Sequence, residues 1–337
     1  MSRAITITIG LLFLSCPALP ALELQIQRTG PGQARLTWDA VAGATTYKVF
    51  RADQLDPPGW TEVATAPDLF YELATTNAKS FYQIRAITNA PSPLVFVQGG
   101  TFNNGVSTVT LSDFWIDRYE VTQSSFAAVM GWSPGTNYGG GPNYPVYYVS
   151  WFRAVEYCNR RSLLEGLAPC YTYSGHGTNP DDWPYQWWLV SWNAASISCS
   201  WSAAGYRLPT EMEWMFAALG GTYTHYYMYS GSDDLNAVAW WQGNSGYLAH
   251  EVGTKAPNEL GLYDMTGSVL EWVWDSEGAL PTEPTTNPTG PAPNAFRMYR
   301  GGSYRSLWQA CTVSYRGSAA ADSGYNNIAL RVVRISL

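Results

Sequence analysis

Positive charge is scarce in this sequence. Lysine and arginine together account for 19 of 337 residues, aspartate and glutamate account for 26, and the formal net charge is −7. Proteins that bind nucleic acid need clustered lysines and arginines to contact the phosphates. No basic run occurs anywhere in the chain, so we expect no nucleic-acid partner.

Histidine is rarer still, with only His176, His225 and His250. A zinc or non-haem iron centre takes histidines and carboxylates at close spacing along the chain. No two of these histidines are neighbours on one helix face, which argues against such an enzyme. The chain also lacks the Gly-x-Ser-x-Gly turn of many hydrolases and a glycine-rich phosphate loop.

Long apolar stretches are absent after residue 21, so we expect no transmembrane segment there. Residues 1–21 themselves have the pattern of an export signal. Arg3 supplies positive charge, residues 5–14 are apolar, and the small residues at 17–21 suit cleavage. We therefore expect a secreted, periplasmic or cell-surface protein. Only a faint lipoprotein-like pattern precedes Cys16, and lipid anchoring at that cysteine stays open.

Cysteine is also sparse, because only Cys158, Cys170, Cys199 and Cys311 remain once the signal is removed. An even number of cysteines in an oxidising compartment suggests two disulfides. Cys170 and Cys199 flank a tryptophan-rich stretch, and a bridge between them would close that loop. Cys158 and Cys311 would then be left to pair.

Aromatic side chains, in contrast, are abundant, with 16 tryptophans and 23 tyrosines. Five of the tryptophans fall within residues 178–201, at Trp183, Trp187, Trp188, Trp192 and Trp201. Exposed aromatic clusters often mark binding sites for sugars or proteins. A hairpin that covers the core with these tryptophans explains the stretch equally well.

Residues 22–90 consist of short segments in which apolar and polar side chains alternate, separated by turn residues. Alternation with a period of two predicts the strands of an all-β sandwich. Trp38, Tyr47 and Tyr82 stand where fibronectin type III domains place core aromatics, and the segment resembles that family. Residues 89–93 contain two prolines and predict a short linker.

Three helices are expected after the linker. Thr122 and Ser150 can each cap a helix by accepting a backbone hydrogen bond in its first turn. Thr210 and Glu213 have the spacing of a capping box, in which each side chain satisfies a backbone N–H of the other residue. Capping explains this glutamate better than a catalytic role does.

Residues 261–275, with the sequence GLYDMTGSVLEWVWD, carry a candidate metal site. Four oxygen donors lie within eight residues: the carboxylates of Asp264 and Glu271 and the backbone carbonyls of Gly267 and Val269. Calcium binds such mixtures of carboxylate and carbonyl oxygens. A buried turn that leads into an aromatic strand is an equally good interpretation of the stretch alone.

Several other segments accompany this stretch in a fixed order. GYRLPTEMEW occupies residues 205–214, YRGGSYRSLWQAC residues 299–311 and IALRVVR residues 328–334, and LVFVQGGTF and FWIDRYEVTQSSF come earlier. Together they resemble the formylglycine-generating enzyme, or sulfatase-modifying factor, family. The resemblance implies an irregular α+β fold of the C-type-lectin-like kind over residues 94–335. It also implies one structural calcium at the four donors named above.

The copper site of that family is incomplete here. In the family, two cysteines five residues apart after the Gly-Gly-Ser motif bind copper(I), which prefers soft thiolates. The motif is present at residues 301–303, and Cys311 matches the second cysteine, but the first position is Ser306. The resemblance therefore implies that copper binding is lost. If oxidase activity remained, Cys311, Ser303 and Trp272 would line its site.

These observations predict an exported protein that binds or displays a ligand rather than an enzyme. Its ligand, a protein, peptide or glycan, would contact six residues of the C-terminal segment: Arg300, Tyr304, Arg305, Leu307, Trp308 and Gln309. The segment also resembles the region that varies in target proteins of diversity-generating retroelements. The alternative function is a formylglycine-generating oxidase that acts on a sulfatase cysteine.

Overall fold

The computed structural model describes residues 24–30, 33–38, 44–52, 61–66, 68–74, 81–88, 94–184 and 196–335. Two compact units make up the chain, Met1–Ser92 and Pro93–Leu337. The predicted export signal and three of the clustered tryptophans, Trp187, Trp188 and Trp192, lie outside the described residues.

The described part of the N-terminal unit consists of six strands. They are β1 (Leu24–Gly30), β2 (Gln33–Trp38), β3 (Ala44–Ala52), β4 (Thr61–Ala66), β5 (Phe70–Ala74) and β6 (Phe81–Thr88). Two antiparallel sheets form, in the orders β1-β2-β5 and β4-β3-β6. Alternate residues of β2, ending with Trp38, are buried in the core of this unit. Tyr82 is half-buried against that core, whereas the side chain of Tyr47 lies outside the described part. The predicted all-β, fibronectin type III-like unit is confirmed.

In its described ranges, 94–184 and 196–335, the C-terminal unit mixes short strands with four α-helices. Its strands are β7 (Leu94–Val97), β8 (Gly100–Asn103), β9 (Thr108–Leu111), β10 (Phe114–Asp117), β11 (Tyr171–Tyr173), β12 (Ile197–Cys199), β13 (Leu270–Ser276), β14 (Thr285–Thr286), β15 (Phe296–Arg300), β16 (Gly317–Ala320), β17 (Ile328–Leu330) and β18 (Val333–Ile335). Its helices are α1 (Gln123–Met130), α2 (Trp151–Leu164), α3 (Glu211–Ala218) and α4 (Leu235–Val238). This composition confirms the predicted α+β class.

Strand β13 lies at the centre of the largest sheet, whose order is β16-β15-β13-β17. All seven residues of β13 are buried, because helices α2 and α3 and the flanking strands cover it. It runs antiparallel to β15 and parallel to β17. The motif that precedes β13 is therefore held at one end of a fully buried strand.

The predicted helix caps are confirmed. The hydroxyls of Thr122 and Ser150 accept from backbone N–H groups in the first turns of α1 and α2. Thr210 and Glu213 form the predicted capping box at the start of α3. The longest helix, α2, has 14 residues, and no helix in the described ranges combines the length and hydropathy that a membrane span requires.

The two predicted disulfides are wrong, because all four cysteines are free thiols. Strands β11 and β12 pair Tyr171 with Cys199, so Cys170 is offset from Cys199 by one residue rather than directly opposite it. The Cys170 thiol instead donates to the carbonyl oxygen of Gly205 at 3.3 Å. Cys158 lies on the buried face of α2, in the core, and Cys311 lies in a separate apolar cluster.

The described tryptophans of the aromatic stretch cover the core. Trp183 is buried, and its indole N–H donates to the carbonyl of Gly177 at 3.0 Å. Trp201 packs edge-on against Trp274 of β13, with ring centres 5.8 Å apart. These two side chains match the hairpin interpretation rather than an exposed binding patch.

Charged side chains are buried where α3 meets β13 and β15. The carboxylate of Glu211 accepts from Arg300 and Arg316, and Asp275 accepts from the backbone N–H of Glu211 at 2.7 Å. Burial, followed by the nearby charge of Glu211, raises the pKa of Asp275 to about 7. The folded protein therefore holds a proton on Asp275 over a pH range in which the unfolded chain has released it.

Asp275→Asn tests this proton. Because the folded pKa is raised, the stabilisation by Asp275 is complete below about pH 4 and is lost as the pH rises through 7. The asparagine stays neutral and still accepts from Glu211, so we expect the variant to melt roughly 5 °C above the unmutated protein at pH 8 and near it at pH 5. The measurement is the melting temperature at both pH values. A difference that does not change with pH would contradict this assignment.

Candidate functional site

Three of the four predicted calcium donors lie in the turn that leads into β13, and the fourth, Glu271, is the second residue of that strand. Asp264 and Glu271 are buried, and Gly267 lies between them with a backbone φ of 76°. A Cβ atom on Gly267 would collide with the carbonyl oxygen of Trp240, so only glycine fits here. The turn ends at Val269, the residue directly before the first residue of β13.

The carboxylate of Glu271 has protein partners on both oxygens. Arg331 Nη2 donates to Oε1 at 2.7 Å, and the indole N–H of Trp214 donates to Oε2 at 2.7 Å. Glu271 and Arg331 are both completely buried. The glutamate that the sequence assigned to calcium thus also forms a buried ion pair, which joins β13 to the residue after β17.

A third buried carboxylate, Glu120, lies against the same turn and was not predicted. Its Oε1 accepts from the backbone N–H of Val269 at 3.0 Å, and its Oε2 accepts from the hydroxyl of Ser268 at 2.8 Å. Burial, then the charges of Asp264 and Glu271, hold the pKa of Glu120 well above its usual value. In the sequence, Glu120 is only an acidic residue two positions before the helix cap Thr122, and no local pattern connects it with residues 268 and 269.

The charges of this cluster do not balance. Burial raises the pKa of Asp264 to about 6, although the backbone N–H of Gly253 donates to its Oδ2 at 2.7 Å. Three carboxylates therefore face one guanidinium, that of Arg331. A cation would neutralise the excess, and the oxygen donors suit calcium. Across the described ranges no set of three or more His, Cys, Asp and Glu side chains has metal-binding geometry, so an ion would depend on the carbonyls of the turn.

The Gly-Gly-Ser turn does not fit copper(I). Ser306 occupies the first cysteine position, and its hydroxyl accepts from the backbone N–H of Ser303 at 2.9 Å. Cys311 is completely buried, and burial raises the pKa of its thiol to about 12. At neutral pH the site thus offers one serine hydroxyl and one protonated thiol, whereas copper(I) prefers paired thiolates.

Of the three residues assigned to an oxidase site, Ser303 and Cys311 lie together, whereas Trp272 lies in a different cluster. Trp272 belongs to the main core, and its indole N–H donates to the carbonyl of Val149 at 2.9 Å. Cys311 packs in another cluster, beside Tyr229 and Val238. The structure therefore corrects the role of Trp272, which is a core residue, and places Ser303 and Cys311 beneath the surface.

Two of the six predicted ligand contacts are also corrected. Arg300 is completely buried, and its guanidinium donates to Glu211 at 2.8 Å and to the carbonyl of Val313 at 3.1 Å. Tyr304 is equally buried, and its hydroxyl donates to the carbonyl of Asn326 at 2.8 Å. Arg300 is the last residue of β15, which lies between β16 and β13 in the central sheet. Tyr304 comes four residues later and packs in a buried cluster with Tyr147 and Val269.

The remaining four predicted contacts are exposed. Leu307 and Trp308 expose 59% and 47% of their surface, and Arg305 and Gln309 are exposed as well. The guanidinium of Arg305 lies 5.7 Å from the ring centre of Tyr138. We call the surface formed by Arg305, Leu307, Trp308 and Gln309 the 305–309 surface.

Neighbouring loops extend this surface with polar and aromatic groups that the sequence did not reveal. The backbone N–H of Gln242 donates to the carbonyl of Ser306 at 3.1 Å, and its side chain donates to the hydroxyl of Tyr247 at 2.7 Å. Tyr247 is 53% exposed. The backbone carbonyl of Tyr138 accepts from Ala249 at 2.7 Å, which places the 247–249 loop beside the ring that Arg305 approaches.

Two tyrosines of these loops have strained backbones. The φ angles of Tyr148 and Tyr247 are 62° and 64°. Bulky residues rarely adopt such angles, and the strain persists only where surrounding structure holds it, often at functional sites. Tyr148 is held by a hydrogen bond from its N–H to the carbonyl of Tyr325 at 2.8 Å, and its ring lies 6.4 Å from that of Tyr138.

The model of the sulfatase-modifying factor enzyme 1-like domain family matches residues 83–336. The chain belongs to this family. The chaperone protein LppX of Paenibacillus barcinonensis is 35% identical over 288 residues, which cover 79% of this chain and 98% of that protein. A formylglycine-generating enzyme of Thermomonospora curvata is 30% identical over 291 residues, covering 69% of this chain and 91% of that enzyme.

Solved structures have the same fold as the C-terminal unit. Treponema denticola variable protein 1 is 31% identical, with a TM-score of 0.64, covering 72% of this chain and 95% of that one. CarF is 27% identical, with a TM-score of 0.60, covering 73% of this chain and 99% of that one. The expected C-type-lectin-like architecture is thereby confirmed for this family member.

Glu120 can be tested by two substitutions. Glu120→Ala removes the acceptors of two buried donors, so we expect a loss of roughly 2–5 kcal/mol of unfolding free energy. Glu120→Gln keeps an acceptor and the shape of the side chain, and should cost less than about 1 kcal/mol because burial and the neighbouring carboxylates raise the pKa of Glu120 and disfavour its charged form. Urea unfolding in chelator, followed by tryptophan fluorescence, measures both. Equal stability of the alanine variant and the unmutated protein would refute this role.

Proposed function

We propose that this member of the family is an exported binding protein and that it contacts its ligand through the 305–309 surface. The observation that supports this most directly is the exposure of Leu307 and Trp308 beside the strained Tyr247 and Tyr148. Aromatic residues and arginine contribute most to binding at protein interfaces. A protein or peptide ligand fits this composition, and a glycan that stacks on the aromatic rings is the alternative ligand.

The buried ion pairs beneath this surface support the same proposal. Arg300 and Tyr304 fix the chain on the inner side of the turn, while Arg305 and Leu307 point outward. Because the backbone of this segment is already fixed, the protein loses less conformational entropy when a ligand binds. The exposed side chains of this surface can therefore be substituted without disturbing the buried contacts of Arg300 and Tyr304.

Two of the similar proteins have names that favour binding over oxidation. One structural relative is named a variable protein, and one sequence relative is named a chaperone protein. Variation of the exposed positions by a diversity-generating retroelement belongs to this proposal. A template repeat of residues 299–311 and a reverse-transcriptase gene beside the coding sequence would support it.

Trp308→Ala tests the proposed surface. The unmutated protein and the variant are applied to peptide, protein and glycan arrays, and we expect the variant to lose at least tenfold in affinity for the ligand found, which corresponds to about 1.4 kcal/mol. Phe296→Ala, which changes an exposed aromatic residue of β15, is the matched control and should bind normally.

Two results would contradict the proposal. The first is an array ligand whose affinity is unchanged by both Trp308→Ala and Leu307→Ala. The second is the conversion of the cysteine in a Cys-x-Pro-x-Arg peptide to formylglycine by the unmutated protein with copper, oxygen and reductant, and its loss in Cys311→Ala. Mass spectrometry of the peptide detects that conversion, which would establish the oxidase alternative.

We further propose that one calcium ion binds at Asp264, Gly267, Val269 and Glu271 and stabilises the turn before β13. Three buried carboxyl groups lie close together here, and the raised pKa values of Glu120 and Asp264 mean that their negative charge is unfavourable without a cation, which supports this proposal. An ion that binds only the folded state raises the melting temperature by mass action. Glu271→Ala is not a clean test, because it would leave Arg331 buried without its ion-pair partner.

Asp264→Asn is the better variant for the calcium proposal. It keeps a hydrogen-bond acceptor for Gly253 and removes one negative charge, which weakens calcium binding even though an amide oxygen still coordinates the ion. We expect calcium to raise the melting temperature of the chelator-treated, unmutated protein by several degrees and to raise that of the variant by less. Equal melting curves of the unmutated protein with calcium and with chelator would refute the site.

A further inference from the structure

The loop at residues 222–229, with the sequence TYTHYYMY, exposes an unusual amount of aromatic surface. Tyr223, Tyr226 and Met228 expose 61%, 72% and 51% of their surface. Single exposed apolar side chains are common, but a patch of them marks an interaction site. Three within six residues form such a patch, and none of them belongs to the 305–309 surface.

The backbone of this loop is fixed at several points. The N–H of Tyr226 donates to the hydroxyl of Thr224 at 3.0 Å, and the carbonyl of Met228 accepts from Val313 at 3.0 Å. The imidazole of His225 stacks on Tyr227 with ring centres 5.4 Å apart. The exposed rings are therefore presented from an ordered backbone, which lowers the entropy lost on binding.

The surroundings of the loop are acidic. Asp233 and Asp234 are exposed at its base, and Asp233 Oδ1 accepts from the N–H of Met228 at 2.8 Å. The chain contains no lysine or arginine between Arg207 and Lys255. Lys255 itself is engaged, because its Nζ donates to the carbonyl of Asn236 at 2.8 Å and lies 4.1 Å from the ring centre of Trp240.

Tyrosine rings beside carboxylates favour one kind of partner. A guanidinium group is attracted to the face of an aromatic ring and pairs with carboxylates. Arginine stacks on rings better than lysine because its charged group is planar. A neutral saccharide would gain hydrogen bonds but no charge attraction from the two aspartates, and nucleic acid would be repelled by them.

We propose that the 222–229 loop, together with Asp233 and Asp234, is a docking site for an arginine-containing segment of a partner protein. In this arrangement Tyr223 and Tyr226 contact the guanidinium faces, the aspartates supply opposite charge, and Met228 packs against the aliphatic stem of the arginine. This site is separate from the ligand surface proposed above and does not depend on it.

A fluorescently labelled nine-residue peptide of alternating arginine and glycine tests the site by fluorescence anisotropy. We expect binding that weakens as salt is added and that falls at least fivefold in Tyr226→Ala. Asp233→Asn combined with Asp234→Asn should weaken binding by a similar factor. Both asparagines keep the Oδ1 acceptors that Met228 and Asn236 use, so the loop and the start of α4 stay intact. The same peptide with lysine for arginine should bind more weakly.

Trp308→Ala and Phe296→Ala are the controls, and both should bind the arginine peptide normally. The melting temperatures of all variants verify that they are folded. The proposal is overturned if folded Tyr226→Ala binds as well as the unmutated protein, or if a glutamate peptide of equal length binds equally well. Loss of peptide binding in Trp308→Ala alone would also overturn it, because the peptide would then occupy the 305–309 surface.

Discussion

The buried ion pair between Glu271 and Arg331 is the constraint on which the rest of the C-terminal unit depends. Both side chains are completely buried, and Arg331 also donates to the carbonyls of Asp117 and Tyr263 at 2.9 Å and 2.7 Å. One guanidinium thereby joins the end of β10, the turn before β13 and the strand β13 itself. Removing either partner would leave a buried charge without compensation, which typically costs several kcal/mol.

A second buried ionic group positions α3. Glu211 pairs with Arg300 from β15 and with Arg316, while Asp275 accepts from the first backbone N–H of the helix. The helix, the central sheet and the segment after residue 300 are thus held by charged contacts at one place. Because Arg300 is fixed inside, the chain that follows it emerges at a defined point and carries Arg305 and Leu307 to the surface.

The Gly-Gly-Ser turn shows how a family motif can be kept for its conformation alone. Gly302 has a φ of 76°, and a Cβ there would meet the backbone of Ala310 and the sulfur of Cys311. The turn therefore needs glycine whether or not a metal binds beside it. Ser306 completes the turn through a hydrogen bond to Ser303, a role that a hydroxyl fills without any thiolate chemistry.

Local patterns along the chain were enough to predict the class of each unit, the helix caps and the family. Alternating strands, the capping box of Thr210 and Glu213, and the order of short motifs are all readable along the chain. Leu307 and Trp308 were predicted as ligand contacts and are exposed, but the same prediction also named Arg300 and Tyr304, which are buried.

Contacts between distant segments set which charged and aromatic residues are buried, and the sequence did not predict them. Arg300 and Arg305 are both arginines of one segment, yet one is enclosed beside Glu211 and the other is exposed. Glu120 reaches Val269 across 149 positions of sequence, and no local pattern records such a contact. The register of β11 and β12 likewise sets Cys170 off from Cys199. Burial and pairing depend on distant segments, so composition and spacing cannot assign them.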